Sequence, residues 1–377
     1  MLKKLEELSK DELNGKKVFL RVDFNVPVEG GEIKEKHRIQ THKETIDFLL
    51  SAGARIALAS HISGGFRVIV RDIGEILGHE IAFEEDILNP GLDSPLTLFE
   101  NIRRYEGEEE DDKAFAEDLA RNFDIYINDA FSSSHRQHAS ISSITEFIPS
   151  YAGFSLVKEA ENLERILKGP AQGKTVILGG AKVSTKLPVV KNFLDKAEHI
   201  LIGGALANAI FKFRGLNIGR SVVEDSGVAL ALKEIDLNNP KIILPSDIAV
   251  SEDPKGAVSP AMVLPLKDIS ENQMILDIGP ETARKFSDII KNSKTVVFNG
   301  PLGLAEVEAF SAGTKVVFDS MIRSGAFSVV GGGDTLALIE RLGLINRFSY
   351  VSIGGGAMLE FLAGNKLPGL EALGYYA

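Results

Sequence analysis

The chain has 377 residues, 44% hydrophobic and 25% charged, the proportions of a soluble globular protein too long for one ordinary core. It has no cysteine, which excludes disulfide staples, thiolate metal sites and cysteine nucleophiles. A formal net charge of −11 argues against a nucleic-acid or anionic-membrane surface, so any anion site must be a local concentration of basic residues.

The opening segment, MLKKLEELSKDEL, reads as an amphipathic helix and not as a signal peptide. No apolar run approaches the roughly 18 residues needed to cross a bilayer, and a cytoplasmic location is expected. Strands follow at VFLRV (18–22), RIALAS (55–60), LTLF (96–99) and DIYIN (124–128). Helical patterns such as THKETIDFLLSAG and DKAFAEDLARN lie between them. The run from Phe154 to Lys168, stopped by Gly169-Pro170, predicts a capped connecting helix. Beyond it come the strands TVILGG, HILIGG, KIILPSD, TVVFNG, FSVVGGG and YVSIGGG.

Apolar strands alternating with helices predict parallel sheets covered on both faces. The pattern occurs twice. The expected fold is therefore α/β, with two doubly wound, Rossmann-like domains joined by a helix and a cleft between them. The expected limits are 1–153 for the first domain, 154–169 for the connecting helix and 170–364 for the second domain. Open α/β sheets bind ligands beyond the carboxyl ends of their strands, so the residues just after each strand carry the functional signal.

In the second half those residues are Gly179-Gly180, Gly203-Gly204, Asn299-Gly300-Pro301, Gly331-Gly332-Gly333-Asp334-Thr335 and Gly354-Gly355-Gly356. Each glycine turn by itself is explained by strand–helix packing; five on one sheet edge point to a phosphate-bearing ligand held by backbone N–H groups. Lys182 and Lys186, four residues apart after Gly179-Gly180, are expected on one face of the helix that follows. Asp334 reads as a helix N-cap that could also hold Mg²⁺, and Glu306 as a carboxylate placed to accept ribose hydroxyls. The segment Gly169-Pro-Ala-Gln-Gly173-Lys-Thr175 imitates a P-loop but has three intervening residues instead of four and precedes a strand. No dinucleotide fingerprint and no G-x-S-x-G elbow occurs.

In the first half, Arg21, Asp23 and Asn25 are expected on one face of a strand, where three polar groups are costly unless paired or bound to something. Arg38, His61, Arg103 and Arg136 fall after strands or in adjoining loops, and His135-Arg136-Gln137-His138 follows the strand at 124–128. Singly these are ordinary surface or ion-paired residues; together they suit a small polyanion.

These stretches resemble the phosphoglycerate kinase family, in order and over the whole chain. The matching segments are RVDFNVP (21–27), Ser60-His61, Glu100-Asn101-Ile102-Arg103, DAFSSSHRQHAS (129–140), GGAKVSTK (179–186), NGPLG (299–303), GGGDT (331–335) and GGGAMLE (354–360). The resemblance implies reversible phosphoryl transfer between 1,3-bisphosphoglycerate and ADP, giving 3-phosphoglycerate and ATP, with Mg²⁺. By position it implies that Asp23, Phe24, Asn25, Arg38, His61, Arg103 and Arg136 bind 3-phosphoglycerate. It implies that Lys182, Lys186, Gly203, Gly204, Asn299, Glu306 and Gly331 to Thr335 bind nucleotide, with Asp334 at the metal. Catalytic positions would be Arg38, Lys182, Gly333 and Gly356. It also implies that residues 365–377 return to the first domain, that the domains close on their ligands, and that the protein is a monomer.

The chain departs from the family in three places. The loop S-H-L-G-R-P is Ser60-His61-Ile62-Ser63-Gly64-Gly65-Phe66 here, without its arginine, and Arg67 is expected to replace it in part. Arg104 stands where the family has phenylalanine, and Ala305 where it has an aromatic residue. A phosphotransferase for another small carboxylate, and a silent nucleotide-binding scaffold, remain as alternatives; retention of Lys182, Arg38 and Asp334 opposes the second.

Overall fold

The computed structural model describes residues 2–224, 227–255 and 261–377. It divides into two compact units, Met1–Glu161 with Lys366–Ala377, and Asn162–Asn365.

The first unit is built on six parallel strands in the spatial order Ala82–Glu84, Leu96–Phe99, Arg55–Ala59, Lys17–Arg21, Ile125–Asn128, Ser150–Ala152. The strand Lys17–Arg21 buries four of its five residues, because helices cover both faces of the sheet. It pairs with Arg55–Ala59 on one side and Ile125–Asn128 on the other, so the direction of winding reverses there. Asp23 and Asn25 lie beyond the end of this strand, not on a face of it as alternation suggested. The strands Ala82–Glu84 and Ser150–Ala152 are only three residues each, too short to carry a periodic signal.

The expected N-terminal helix is instead two pieces, Leu5–Glu7 and Lys10–Leu13, with Met1 outside the described residues. Ser9 breaks it: the Ser9 hydroxyl accepts from the Glu12 amide while Glu12 accepts from the Ser9 amide at 2.9 Å, a capping box that starts a new helix. The helix Phe154–Lys168 forms as its pattern predicts, and the boundary between the two units falls within it. In the C-terminal segment of the first unit, the Gly369 amide donates to the Ser134 carbonyl at 2.9 Å and Leu367 and Leu370 are buried.

The second unit carries six parallel strands in the order Ile242–Ile243, His199–Ile202, Lys174–Leu178, Thr295–Asn299, Phe327–Gly331, Tyr350–Ser352. This is the doubly wound order third, second, first, fourth, fifth, sixth, with its switch point between Lys174–Leu178 and Thr295–Asn299. Phe298 lies edge-on to Phe318, and Phe318 edge-on to Phe348, in the core on one face.

The segment KIILPSD departs from the single strand expected of it. Only Ile242–Ile243 joins the parallel sheet, because Pro245 lacks the N–H that would continue the ladder. Asp247–Ser251 then forms an antiparallel sheet between Met262–Pro265 and Met274–Ile278. The buried Asp247 is satisfied by capping the helix Pro280–Lys291: it accepts from the amides of Glu281 at 2.9 Å and Thr282 at 2.7 Å.

Candidate active site

In the first unit, the functional side chains gather around the end of Lys17–Arg21. Asp23 is buried and fully engaged. Its carboxylate accepts from Arg38 Nη1 at 2.6 Å, from the Ser132 hydroxyl, and from the Asn25 amide at 3.0 Å. Burial alone would raise the Asp23 carboxyl; Arg38 beside it, with the Ser132 hydroxyl, outweighs burial and holds it far below the usual carboxylate range. Arg38 is fixed on its other side by Glu35, at 3.1 Å from Nε. The guanidinium is therefore held by two carboxylates in one orientation.

Arg21 is wholly buried. Its Nε donates to the Ser140 hydroxyl at 3.0 Å and Nη1 to the Val22 carbonyl at 2.6 Å, while Nη2 has no hydrogen-bond partner among the described residues. Ser140 in turn donates to the buried Glu108 at 2.7 Å, so Arg21 is balanced through a bridging hydroxyl. Around this group stand Arg103, which pairs with Glu109 at 3.3 Å, and His61 and His138, with the exposed Arg136. Burial, then the guanidiniums of Arg21, Arg103 and Arg136, push His61 down to about 3; burial, Arg103 and Arg21 push His138 down to about 4. His61 is thus a neutral imidazole at pH 7, not the cation that a basic pocket suggests. Burial and the same neighbours lower Arg103 also. A group of arginines that raise each other's electrostatic cost is stabilised by a bound anion.

Two residues of this unit are placed otherwise than expected. The Phe24 ring is in the core, edge-on to His42, and its amide donates to the Ser60 hydroxyl at 2.8 Å. It offers a ligand neither ring nor N–H. Arg67, expected to stand in for the missing loop arginine, is engaged elsewhere: its guanidinium pairs with Glu85 and lies 4.8 Å over the Phe83 ring. The loop is pinned instead by Phe66, whose ring is buried and whose amide donates to Glu100 at 2.8 Å.

In the second unit, the five glycine turns all follow parallel strands of one sheet, so they share its carboxyl edge. They divide into two kinds. Gly179, Gly204 and Gly300 interlock backbone against backbone: a Cβ on them would come within 2.2 Å of the Pro301 oxygen, 2.6 Å of the Gly180 nitrogen and 2.4 Å of the Gly179 oxygen. Gly203 is packed against Leu302 and Gly331 against the Met358 sulfur in the same way. Packing explains these five. Gly333 and Gly355, by contrast, would place a Cβ in open space. They begin the helices Gly333–Arg341 and Gly355–Ala363, neither of which has a side-chain cap. Gly356 is exposed in the first turn of the second of these. First-turn N–H groups without side-chain caps, at two helix starts that follow neighbouring strands, are groups that can receive an anion.

The lysines sit differently from expectation. The helix begins at Leu187, so Lys182 and Lys186 both precede it and do not share a helical face. Lys182 is exposed; Lys186 is buried, with Nζ 3.3 Å from the Lys182 carbonyl. Burial lowers Lys186, and Asp334 and Glu224 oppose that shift. Asp334 is not the N-cap either: that position is Gly332, with φ +100°, and Asp334 is an exposed carboxylate in the first turn. Thr335 is buried and its hydroxyl accepts from the Gly300 amide at 3.0 Å, tying two of the glycine turns together. Asn299 is buried beneath them, with its amide 3.6 Å from the Met358 sulfur.

A cavity of about 160 Å³ opens at the switch point. Gly180, Gly204, Glu306 and Asp334 line it, together with an apolar wall of Val222, Ile275, Leu276, Leu302 and Leu304. Sequence reasoning missed that wall. Leu302 and Leu304 were within reach, flanking a glycine in the NGPLGL stretch; Val222 and Ile275-Leu276 follow no strand of the parallel sheet and carried no signal. Ala305 is buried, and its carbonyl accepts from Arg341 at 2.5 Å.

An arginine-walled anion site and a glycine-lined, half-apolar cavity, each at the switch point of its own doubly wound sheet, suit a small polyanion and a nucleotide. The family model "Phosphoglycerate kinase" matches residues 8–365. The chain is similar to the phosphoglycerate kinase of Moorella thermoacetica, 39% identical with 96% of this chain and 97% of that protein covered. It is similar also to that of Rubrobacter xylanophilus, 41% identical with 96% of each covered. Among solved structures it resembles phosphoglycerate kinase from Coxiella burnetii, at a TM-score of 0.85 and 32% identity over 100% of both chains. It resembles that from Pyrococcus horikoshii at a TM-score of 0.89 and 32% identity, over 99% of this chain and 98% of the other. Fold, ordered motifs and sequence identity along nearly the whole chain agree, and the chain belongs to the phosphoglycerate kinase family.

Proposed function

We propose that the first unit binds 3-phosphoglycerate or 1,3-bisphosphoglycerate through Arg38, His61, Arg103 and Arg136, and that the second unit binds ATP or ADP at the cavity beside Glu306. The reaction is the family's own: reversible phosphoryl transfer between 1,3-bisphosphoglycerate and ADP in glycolysis and gluconeogenesis. A β-phosphate oxygen of ADP bonds to the acyl phosphorus while the bond from that phosphorus to the carboxyl oxygen breaks. The 3-phosphoglycerate carboxylate leaves with the electron pair. Nucleophile and leaving group are both anions, so no general base is required. Positioning and stabilisation of negative charge do the work.

The observation that carries this assignment is the uncapped start of the helix Gly333–Arg341, whose Asp334 lines the cavity, with a second uncapped start at Gly355 after the neighbouring strand of the sheet. Their N–H groups suit the phosphate tail, the apolar wall suits the base, and Glu306 suits the ribose hydroxyls. Lys182, exposed, suits the phosphoryl group in transfer; the buried Lys186 suits a nucleotide phosphate. Among the described residues no group of three histidine or acidic side chains could hold a metal. Asp334 suits Mg²⁺, which takes one or two carboxylates and completes its shell with nucleotide phosphates and water. Bound there, Mg²⁺ would offset phosphate charge. We assign a monomeric, cytoplasmic enzyme with no nucleic-acid or membrane partner; no helix among the described residues is long and apolar enough to cross a membrane.

Calorimetric titration of each ligand separately tests the assignment. Arg38→Ala is expected to weaken 3-phosphoglycerate binding at least tenfold and leave Mg·ATP unchanged. Asp334→Asn is expected to weaken the Mg²⁺ dependence of ATP binding and leave 3-phosphoglycerate unchanged. Crossed effects would overturn it.

A further inference from the structure

Behind the substrate side of the first unit lies a buried contact that the reaction does not use. His42 is wholly buried, and its Nε2 accepts from the Asp23 amide at 3.1 Å. An imidazole that accepts at Nε2 carries its proton on Nδ1, and that atom lies 2.9 Å from Asp129 Oδ2. Asp129 is also wholly buried. Its other oxygen, Oδ1, accepts from the amides of Ser155 at 2.8 Å and Leu156 at 3.3 Å, the first turn of the helix Phe154–Lys168. His42 and Asp129 together thus join the backbone at Asp23 to the start of the helix Phe154–Lys168.

The surrounding packing makes this connection directional. His42 precedes the helix Lys43–Ser51, and Thr45 and Phe48 follow it at intervals of three residues, on the same side. The Thr45 hydroxyl accepts from the Phe154 amide at 3.1 Å, and the Phe48 ring lies edge-on to Phe154 at 5.3 Å. His42, Thr45 and Phe48 therefore form one stripe against the first turn of Phe154–Lys168. Gly153 permits the approach: a Cβ there would come within 2.3 Å of Asp129 Oδ1. On the other side, the Asp23 carboxylate carries Arg38 at 2.6 Å. A shift of Asp23 toward or away from a ligand on Arg38 must move the His42 ring or break its bond. With both ring nitrogens committed and the ring wholly buried, it transmits the shift to Asp129 and so to the helix amides.

We propose that His42 is a positioning residue for the phosphoglycerate site. It sets Asp23, and through Asp23 the guanidinium of Arg38, and with Asp129 it couples occupancy of that site to the N-terminal turn of Phe154–Lys168. This rests on the assignment of Arg38 to the substrate.

Two isosteric substitutions separate the two bonds. In His42→Asn the side-chain amide can occupy the Nδ1 position and keep Asp129, but nothing accepts the Asp23 amide. In His42→Gln the terminal oxygen can occupy the Nε2 position and keep Asp23, but the bond to Asp129 is lost. For His42→Asn, KM for 3-phosphoglycerate should rise about five- to tenfold while KM for ATP stays within twofold. His42→Gln should keep most of the substrate affinity. Amide hydrogen exchange in the wild-type chain should show slower exchange at 154–157 when 3-phosphoglycerate binds, and both variants should lose that response. Equal losses for the two substrates, or a 154–157 response that survives in both variants, would overturn the coupling. An Arg38→Ala control keeps the two ideas apart. If it leaves 3-phosphoglycerate binding intact, the site assignment fails; if it weakens binding while His42→Asn does not, only the role of His42 fails.

Discussion

Gly333→Ala separates a glycine needed for packing from one needed by a ligand. A Cβ at Gly333 would meet no atom within 4 Å, and the residue opens the helix Gly333–Arg341 without a positive φ. Alanine therefore fits the fold. Restricting the unfolded chain should stabilise it by about 0.4–1 kcal/mol, raising Tm of the unit by about 1–4 °C. If the bare first turn receives a nucleotide phosphate, the same methyl occupies the approach to its N–H groups. Loss of one charge-assisted hydrogen bond, about 1.5–3 kcal/mol, lowers kcat/KM for ATP about 10- to 100-fold. Differential scanning calorimetry and a coupled assay on one preparation read both quantities. A protein that is more stable and less active fits. Unchanged kcat/KM would refute the phosphate role, and a fall in Tm would refute the open space. Gly300→Ala is the control, since its φ of +85° and a Cβ 2.4 Å from the Gly179 oxygen leave no room; it should cost at least about 2 kcal/mol of stability.

Lys182→Ala should lower kcat about 10²–10³-fold with little change in nucleotide Kd, since an exposed lysine acts mainly on charge that develops in transfer; single-turnover measurements on saturated enzyme decide. Arg67→Ala should leave KM for 3-phosphoglycerate within twofold, because that guanidinium is committed to Glu85 and Phe83; a tenfold rise would show that it leaves them for the substrate. Asp277 gives a pH signature. Burial raises its carboxyl from 3.8 to about 7, although the amides of Gly313 and Ile278 pull the other way. Between those values the folded state keeps a proton that the unfolded state has lost, so this group's contribution to stability is full below about pH 4 and is lost as pH rises toward 7. Urea midpoints at pH 4.5, 6 and 7.5 should fall in that order from this group, and Asp277→Asn should flatten the trend.

Most of the frame was legible in the sequence. Apolar strands such as KTVIL and TVVFN need two covered faces, which only a parallel sheet with helices on both sides supplies, and the residues after them carry the ligands of such sheets. Only the tertiary structure decided which glycines are free. Gly300 and Gly333 look alike in the sequence, yet one is locked against the Gly179 backbone and the other faces open space. Local pattern also misplaced Lys182 and Lys186, because the helix starts at the buried Leu187, seven residues beyond Gly180. The protonation of His61, the engagement of Arg67 by Glu85, and the link from Asp23 through His42 to Asp129 are decided by residues far apart in the chain. Periodicity reports which face of an element is buried; it does not report which distant group meets a side chain there, and at this site those meetings set the charge.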